Sequence, residues 1–248
     1  MFGVIGGTGL NKIEELIIEK QEVIETPYGA TSGLLSFGSL EKKKFIFLAR
    51  HGGEHNIPPH LINYQANIWA LNSVGVKNLI GINTVGSINV EFMPGDFVFP
   101  NQVIDYTSSR KNTFFDGDIN PVKHIDFTNP FDKILREKFI YIANFLKFKN
   151  HSHSTYACVE GPRLETFAEI NRYEKDGANI VGMTAMPEAS LARELDINYA
   201  IICPVANHAA GRGLNKSGVF HEEINSNSKK MASNIAVLIK QVIESYGN

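Results

Sequence analysis

The order of apolar runs and polar, glycine-bearing breaks along the chain predicts strands and helices in alternation. Phe2–Ile5 reads as a short strand, closed at once by Gly6-Gly7-Thr8-Gly9. Residues 21–50 read as β-hairpins: Val23–Thr26 and Gly33–Phe37 have strand character, PYGATSG links them, and Phe45–Ala49 is strongly apolar. After Pro59, a residue suited to a first helical turn, Leu61, Tyr64, Ile68, Leu71 and Val74 recur at helical spacing until Gly75. Lys77–Ser87, KNLIGINTVGS, then runs from a buried strand into Asn83, Thr84, Gly86 and Ser87. MPGD reads as a turn before a strand at Phe97–Pro100, and residues 101–130 have no clear period. A helix is predicted over 131–147, with Phe131, Ile134, Leu135, Phe139, Ile142 and Leu146 as its stripe. The strand Thr155–Val159 leads to a helix through Tyr173. A short strand, Asn179–Gly182, precedes a helix from Pro187 to about Glu194. Asn198–Ala206 is an apolar strand of the kind covered on both faces, and the last helix spans about 222–245.

Four of these strands end in the same way, in Arg50-His51, Asn83-Thr84, Met183-Thr184 and Asn207. In an open α/β sheet ligands sit beyond the carboxyl ends of the strands, so one mostly parallel sheet would bring all four sets to a single rim. The 248 residues suffice for one large core and show no linker, repeat or low-complexity tract, so one domain over 1–248 is expected. The formal charge of -2 and the lack of a basic stripe argue against a nucleic-acid binder, and EKKK at 41–44 reads as a solvated turn. No apolar run reaches the roughly 18 residues that span a bilayer. The start, FGVIGG, does not read as a signal peptide, and a cytoplasmic protein without membrane partners is expected. Cys158 and Cys203, far apart and both in predicted strands, read as reduced, buried thiols.

The candidate chemistry gathers at those strand ends. GGTG offers an amide-rich turn that suits an anion, although it is neither GxGxxG nor a P-loop, and a plain strand-turn is the competing reading. Arg50, His51, His55 and His60 fall in one polar stretch after an apolar strand. His51 and His55 have helical spacing, but Gly52 and Gly53 lie between them and there is no HExxH, so no metal site is expected. An arginine fork at a strand end suits an oxyanion with several oxygens. Trp69 reads as core or interface.

Taken together, GVIGGTGL (3–10), RHGGEHNIPPHLINYQANIWAL (50–71), NTVGSIN (83–89), EGPRLET (160–166), GMTAMPEASLAREL (182–195) and VANHAAG (205–211) resemble the trimeric purine nucleoside phosphorylase family, in its methylthioadenosine phosphorylase branch. The resemblance covers essentially the whole chain. It implies an α/β fold, a single domain with a distorted mixed central β-sheet flanked by helices, assembled as a homotrimer. It implies phosphorolysis of a purine nucleoside with inorganic phosphate as co-substrate and no cofactor or metal. By the matching segments, Thr8, Arg50, His51, Thr84 and Thr184 would hold phosphate. Val85, Gly86, Leu164, Glu165, Met183 and Asn207 would line the nucleoside, and His124 would reach a neighbouring subunit's site. Asn207, His51 and Arg50 would stand nearest the chemistry. The branch usually carries aspartates where this chain has Asn207 and Ala209, whereas Glu165 matches a glutamate of relatives that cleave inosine and guanosine. Asn207 can donate to a 6-oxo group and accept from a protonated N7, while Glu165 can accept from N1–H, so both departures imply a 6-oxopurine. The frame is that of enzymes taking 5′-methylthio nucleosides. Ile224 and Met231 are apolar candidates for the 5′ wall, with Asn225 and Asn227 nearby. An adenine-type substrate or a 5′-hydroxyl nucleoside remains an alternative. A nucleoside hydrolase would favour a metal-bound water and an aspartate cluster, which GGTG lacks, and a non-catalytic domain would not need this many phosphate donors.

Overall fold

A computed structural model describes residues 1–7, 17–40, 43–117 and 120–246. Its strands are β1 (Phe2–Gly6), β2 (Ile17–Glu22), β3 (Leu35–Leu40), β4 (Lys43–Ala49), β5 (Asn78–Ile82), β6 (Val85–Ser87), β7 (Phe97–Val98), β8 (Gln102–Asp105), β9 (Asn150–His151), β10 (Thr155–Cys158), β11 (Ile180–Gly182) and β12 (Asn198–His208). Its α-helices are α1 (Tyr64–Ser73), α2 (Lys133–Phe145), α3 (Phe167–Lys175), α4 (Glu188–Glu194) and α5 (His221–Ser245). The strands form a mixed central sheet in the order β2-β3-β4-β1-β5-β12-β6-β11-β10-β8, with β7 and β9 paired off this path. Helices α2, α4 and α5 pack on β12, and α1 packs on α4. This is the expected α/β architecture, a mixed central sheet flanked by helices.

The long strand β12 explains the shape of the sheet. After Asn198 its next ten residues are all buried, as an apolar run covered on both faces must be. Its first half pairs in parallel with β5, from Asn198 opposite Asn78 to Ile202 opposite Ile82. Its second half pairs with β6, where a register shift lies between Val205 and Asn207. Chain from β5 to β6 therefore crosses the sheet beside the middle of β12, and Asn83 and Thr84 occupy that crossing.

This geometry corrects the expectation of one parallel rim. Strands β4, β1, β5 and β12 do run parallel. Strand β11, however, is antiparallel to β6, with Ile180 opposite Ser87 and Val181 opposite Gly86. Met183-Thr184 thus arrives from the opposite direction and meets Asn83-Thr84 inside the sheet.

Element boundaries differ in places with identifiable causes. The hairpins between 17 and 49 are present, but Val23–Thr26 lies outside any strand and the first partner is Ile17–Glu22. The helix expected after Pro59 opens as a 3-10 turn, Pro59–Leu61, and α1 starts anew where the Asn63 side chain accepts a hydrogen bond from Ala66 N at 3.1 Å. Helix α2 begins at Lys133 because Asp132 caps it, leaving Phe131 in the core before the helix. Strands β8 and β9 lie in stretches without a strand period, and β8 is specified by its pairing with β10.

Candidate active site

Arg50 leaves the end of β4 with its amide bound to the Gly6 carbonyl at 2.8 Å. Its side chain is 1% exposed. The fork does not stand open toward an oxyanion, as the sequence reading has it. Nε and Nη2 each donate to Glu188, at 2.7 Å, and Nη2 also reaches the Ile5 carbonyl. Nη1 donates to the Ile82 carbonyl at 2.9 Å. Tyr199 donates its hydroxyl hydrogen to Glu188 at 2.6 Å, completing the carboxylate's partners. Burial works against the Arg50 charge, but the facing carboxylate more than offsets it and the guanidinium pKa lies above its usual value. Glu188, placed by the short helix α4, was unremarkable in sequence, although its segment is part of the resemblance.

The crossing between β5 and β6 supplies the next groups. Asn83, buried, donates through Nδ2 to the Thr184 hydroxyl at 2.7 Å, and its Oδ1 lies 3.5 Å from Arg50 Nη2. Because the Thr184 oxygen accepts from Asn83, its own hydrogen is free to donate. Thr84, next in the chain, is exposed. His51 holds its Nδ1 2.8 Å from the Ile57 carbonyl, so Nδ1 carries the hydrogen and Nε2 is an acceptor in the neutral ring. Burial and then the Arg50 charge push its pKa down to about 4, despite that bond. The His55 ring lies 4.5 Å from that of His51, centroid to centroid, and it also borders Gly7. Arg50, His51, Thr84 and Thr184 are thus grouped around the strand ends. Thr8 lies outside the described residues.

A second group lies further along β12. Asn207 is 6% exposed and donates through Nδ2 to the His208 carbonyl at 2.6 Å. It sits over Gly86, where an added Cβ would be in ordinary contact, at 3.5 Å, with Asn207 Nδ2 and with Val181. Val85 is buried below. Met183 lies against Gly161, which has φ +66 and no room for a Cβ beside the Met183 sulfur. Leu164 and Glu165 follow this turn and are half-buried. Burial raises the Glu165 pKa above the ordinary carboxylate value. The capping box of α3, in which Thr166 accepts from Glu169 N at 3.2 Å and Glu169 accepts from Thr166 N at 2.8 Å, anchors the chain immediately after Glu165.

One candidate for the 5′ wall falls outside this arrangement. Met231 is buried in the main core rather than in a wall of the site. Asn227 instead reaches β12, donating to the Ala206 carbonyl at 2.7 Å. His124 is exposed, in the stretch before α2. Among the described residues, no group of three or more His, Cys, Asp or Glu side chains could hold a metal ion, and no helix is long and apolar enough to cross a membrane.

Fold and site together define an α/β enzyme of the nucleoside phosphorylase type. The profile of the phosphorylase superfamily matches residues 1–244, and the chain belongs to that superfamily. Among its relatives, a probable S-methyl-5′-thioinosine phosphorylase of Pseudomonas syringae is 46% identical over 212 residues, covering 86% of each chain. The 6-oxopurine nucleoside phosphorylase of Pyrococcus furiosus is 43% identical over 245 residues, covering 97% of this chain and 91% of the relative. Among solved structures, methylthioadenosine phosphorylase from Schistosoma mansoni in complex with adenine superposes with a TM-score of 0.93 at 28% identity, covering 98% of this chain and 90% of the other.

Proposed function

We propose that the protein cleaves S-methyl-5′-thioinosine with inorganic phosphate, giving hypoxanthine and 5-(methylthio)-α-D-ribose 1-phosphate. Phosphorolysis of a purine nucleoside is supported by family membership and by relatives similar along nearly the whole chain. The observation that carries the choice of a 6-oxopurine is the Asn207 amide, buried beside Gly86 with a half-buried Glu165 on the segment that follows Gly161.

In this reading the phosphate sits where Arg50, His51, Thr84 and Thr184 gather, with Thr8 as a further donor. Glu188 neutralises most of the Arg50 charge, so Arg50 contributes through the second hydrogen of Nη1 rather than through an open fork. Thr84 and Thr184 donate their hydroxyl hydrogens. Neutral His51 accepts a hydrogen from monohydrogen phosphate at Nε2, which suits a ring whose pKa is held at about 4. A phosphate oxygen bonds to C1′ as the C1′–N9 bond breaks, and the electron pair passes into the purine, whose N7 takes a proton relayed through water; the proton that monohydrogen phosphate loses as it becomes the sugar 1-phosphate dianion restores that water. Asn207 Oδ1 accepts that N7–H, and one Nδ2 hydrogen donates to O6 while the other stays on the His208 carbonyl. Glu165 accepts from N1–H; its raised pKa makes it a stronger acceptor when ionised. Val85, Gly86 and Leu164 line the nucleoside, and Met183 forms a soft floor under the flattening ribose. The phosphate charge stabilises the oxocarbenium-like transition state more than the ground state, which is what lowers the barrier. The chain acts as one domain, in the cytoplasm, in a homotrimer in which His124 closes a neighbour's site.

The alternative with a 5′-hydroxyl is favoured by Asn227, a polar group on α5 bound to the β12 carbonyl beside Asn207. The test of the reaction type is release of hypoxanthine with and without phosphate. Release that depends on phosphate and yields a sugar 1-phosphate supports phosphorolysis; equal release without phosphate, yielding the free sugar, would establish hydrolysis instead.

A further inference from the structure

Arg110 lies in the aperiodic stretch after β8, yet its side chain is only 2% exposed. Its guanidinium ties its own loop to three other parts of the chain. Nε donates to the Glu160 carboxylate at 3.1 Å. Nη2 donates to the carbonyls of Val159 at 3.2 Å and Glu160 at 2.8 Å, both at the end of β10. Nη1 donates to the carbonyl of Met183 at 2.8 Å and to that of Met186, both in the connection from β11 to α4. It also reaches the Tyr64 hydroxyl at 3.1 Å, at the start of α1, and Tyr64 in turn donates to the Pro59 carbonyl at 3.0 Å. The guanidinium lies 5.2 Å from the centre of the Tyr64 ring.

The Arg110 loop is itself tied down. Ser108 N donates to Glu160 at 2.9 Å and the Ser109 hydroxyl does so at the same distance. Burial would raise the Glu160 pKa, but these bonds and the one from Arg110 outweigh it and hold it at about 2. A buried cation whose hydrogens go mainly to backbone carbonyls is a costly filler, because each carbonyl and the charge must be desolvated. The segments it joins are those that carry the site: Glu160 leads to Glu165, and Met183 adjoins Thr184. Bonds to main-chain carbonyls set distances between segments whatever their side chains are.

We propose that Arg110 is a positioning residue that sets the spacing between the Glu160–Glu165 segment and the Met183–Thr184 segment, and so aligns purine against phosphate for transfer. This rests on the phosphorylase reading above. If Arg110 acts on spacing, each wall keeps its own ligand when the arginine is replaced, but the two ligands no longer meet in line. Misplacement by about 1 Å costs on the order of 100-fold in rate.

The test compares native enzyme with Arg110→Lys and with the milder Glu160→Gln, which removes the charge that holds Arg110 Nε and the Ser108–Ser109 turn and so loosens the aim of Arg110 at the carbonyls of both segments. Hypoxanthine and phosphate affinities are measured separately by calorimetry, and kcat by hypoxanthine release. The expected result for Arg110→Lys is a kcat lower by roughly 100-fold with both affinities within about threefold of native. For Glu160→Gln it is a kcat lower by about tenfold with the same split, which decides the matter if Arg110→Lys does not fold. An unchanged kcat in Glu160→Gln, or affinities that fall in proportion to kcat in either folded variant, overturns the proposal and leaves Arg110 a purely structural residue. A native enzyme that shows no phosphate-dependent cleavage would sink the parent reading instead, a failure visible before any variant is made.

Discussion

Exchanging Asn207 for aspartate changes one NH2 into an oxygen at a position 6% exposed to solvent. In the native site that NH2 donates to the His208 carbonyl at 2.6 Å. The aspartate therefore sets two oxygens against each other with no hydrogen between them, and the side chain must turn away or wait for a donor. An unpaired polar group of this kind costs about 1–3 kcal/mol. A 6-aminopurine brings an N–H to the same place and recovers that cost, whereas a 6-oxopurine adds a further oxygen. The difference predicts that Asn207→Asp shifts the ratio of kcat/KM values by about 5- to 150-fold toward the adenine nucleoside. The assay compares two nucleosides with the same sugar, one of hypoxanthine and one of adenine, at saturating phosphate, in native and variant enzyme. A ratio that moves by less than about twofold would refute the assignment of Asn207 to position 6 of the base.

Three further outcomes follow from the same geometry. Glu188→Gln leaves the Arg50 cation buried without its counter-charge and weakens the acceptor of Tyr199, so urea unfolding should show a loss of about 3–5 kcal/mol, and a loss under about 1 kcal/mol would contradict a buried, unscreened pair. Thr166→Ala removes the cap of α3 and should cost about 1 kcal/mol in unfolding while raising KM for the nucleoside more than that for phosphate; equal rises would mean that the capping box does not hold Glu165. His51 has a folded pKa near 4 against an ordinary value of 6.5, so the unfolded chain binds the extra proton first as pH falls. Native stability relative to His51→Gln should therefore decline from pH 6.5 toward pH 4 and be level above it, and a difference that does not vary over this window would mean that His51 is not held neutral.

What sequence could supply here was local. Apolar runs that stop in Arg50, Asn83 and Asn207 mark strand ends, because a buried strand has to give way to polar residues where the chain meets a site. The direction of β11 was not legible. Ile180–Gly182 is too short to carry a pattern of its own, and its direction is set by antiparallel pairing with β6, which itself pairs with the second half of β12. Arg50 shows a second limit. Its place at a strand end could be read, but its partner Glu188 comes from a helix 138 positions away and turns an apparently open cation into half of a buried pair. Arg110 and Tyr64 illustrate a third. One stands in a loop without period and the other in the apolar stripe of a helix, and only the folded chain brings the hydroxyl and guanidinium to 3.1 Å. Met231 shared the helical apolar stripe of α5 with core residues, and nothing in that spacing separates a core methionine from a wall of the site.

The central claim, a 5′-methylthio nucleoside of hypoxanthine as substrate, is most directly tested by phosphate-dependent cleavage of methylthioinosine, methylthioadenosine, inosine and adenosine side by side. The highest kcat/KM is expected for methylthioinosine. A preference for inosine would leave the reading of the base intact and overturn that of the 5′ side, and a preference for methylthioadenosine would contradict the roles given to Asn207 and Glu165.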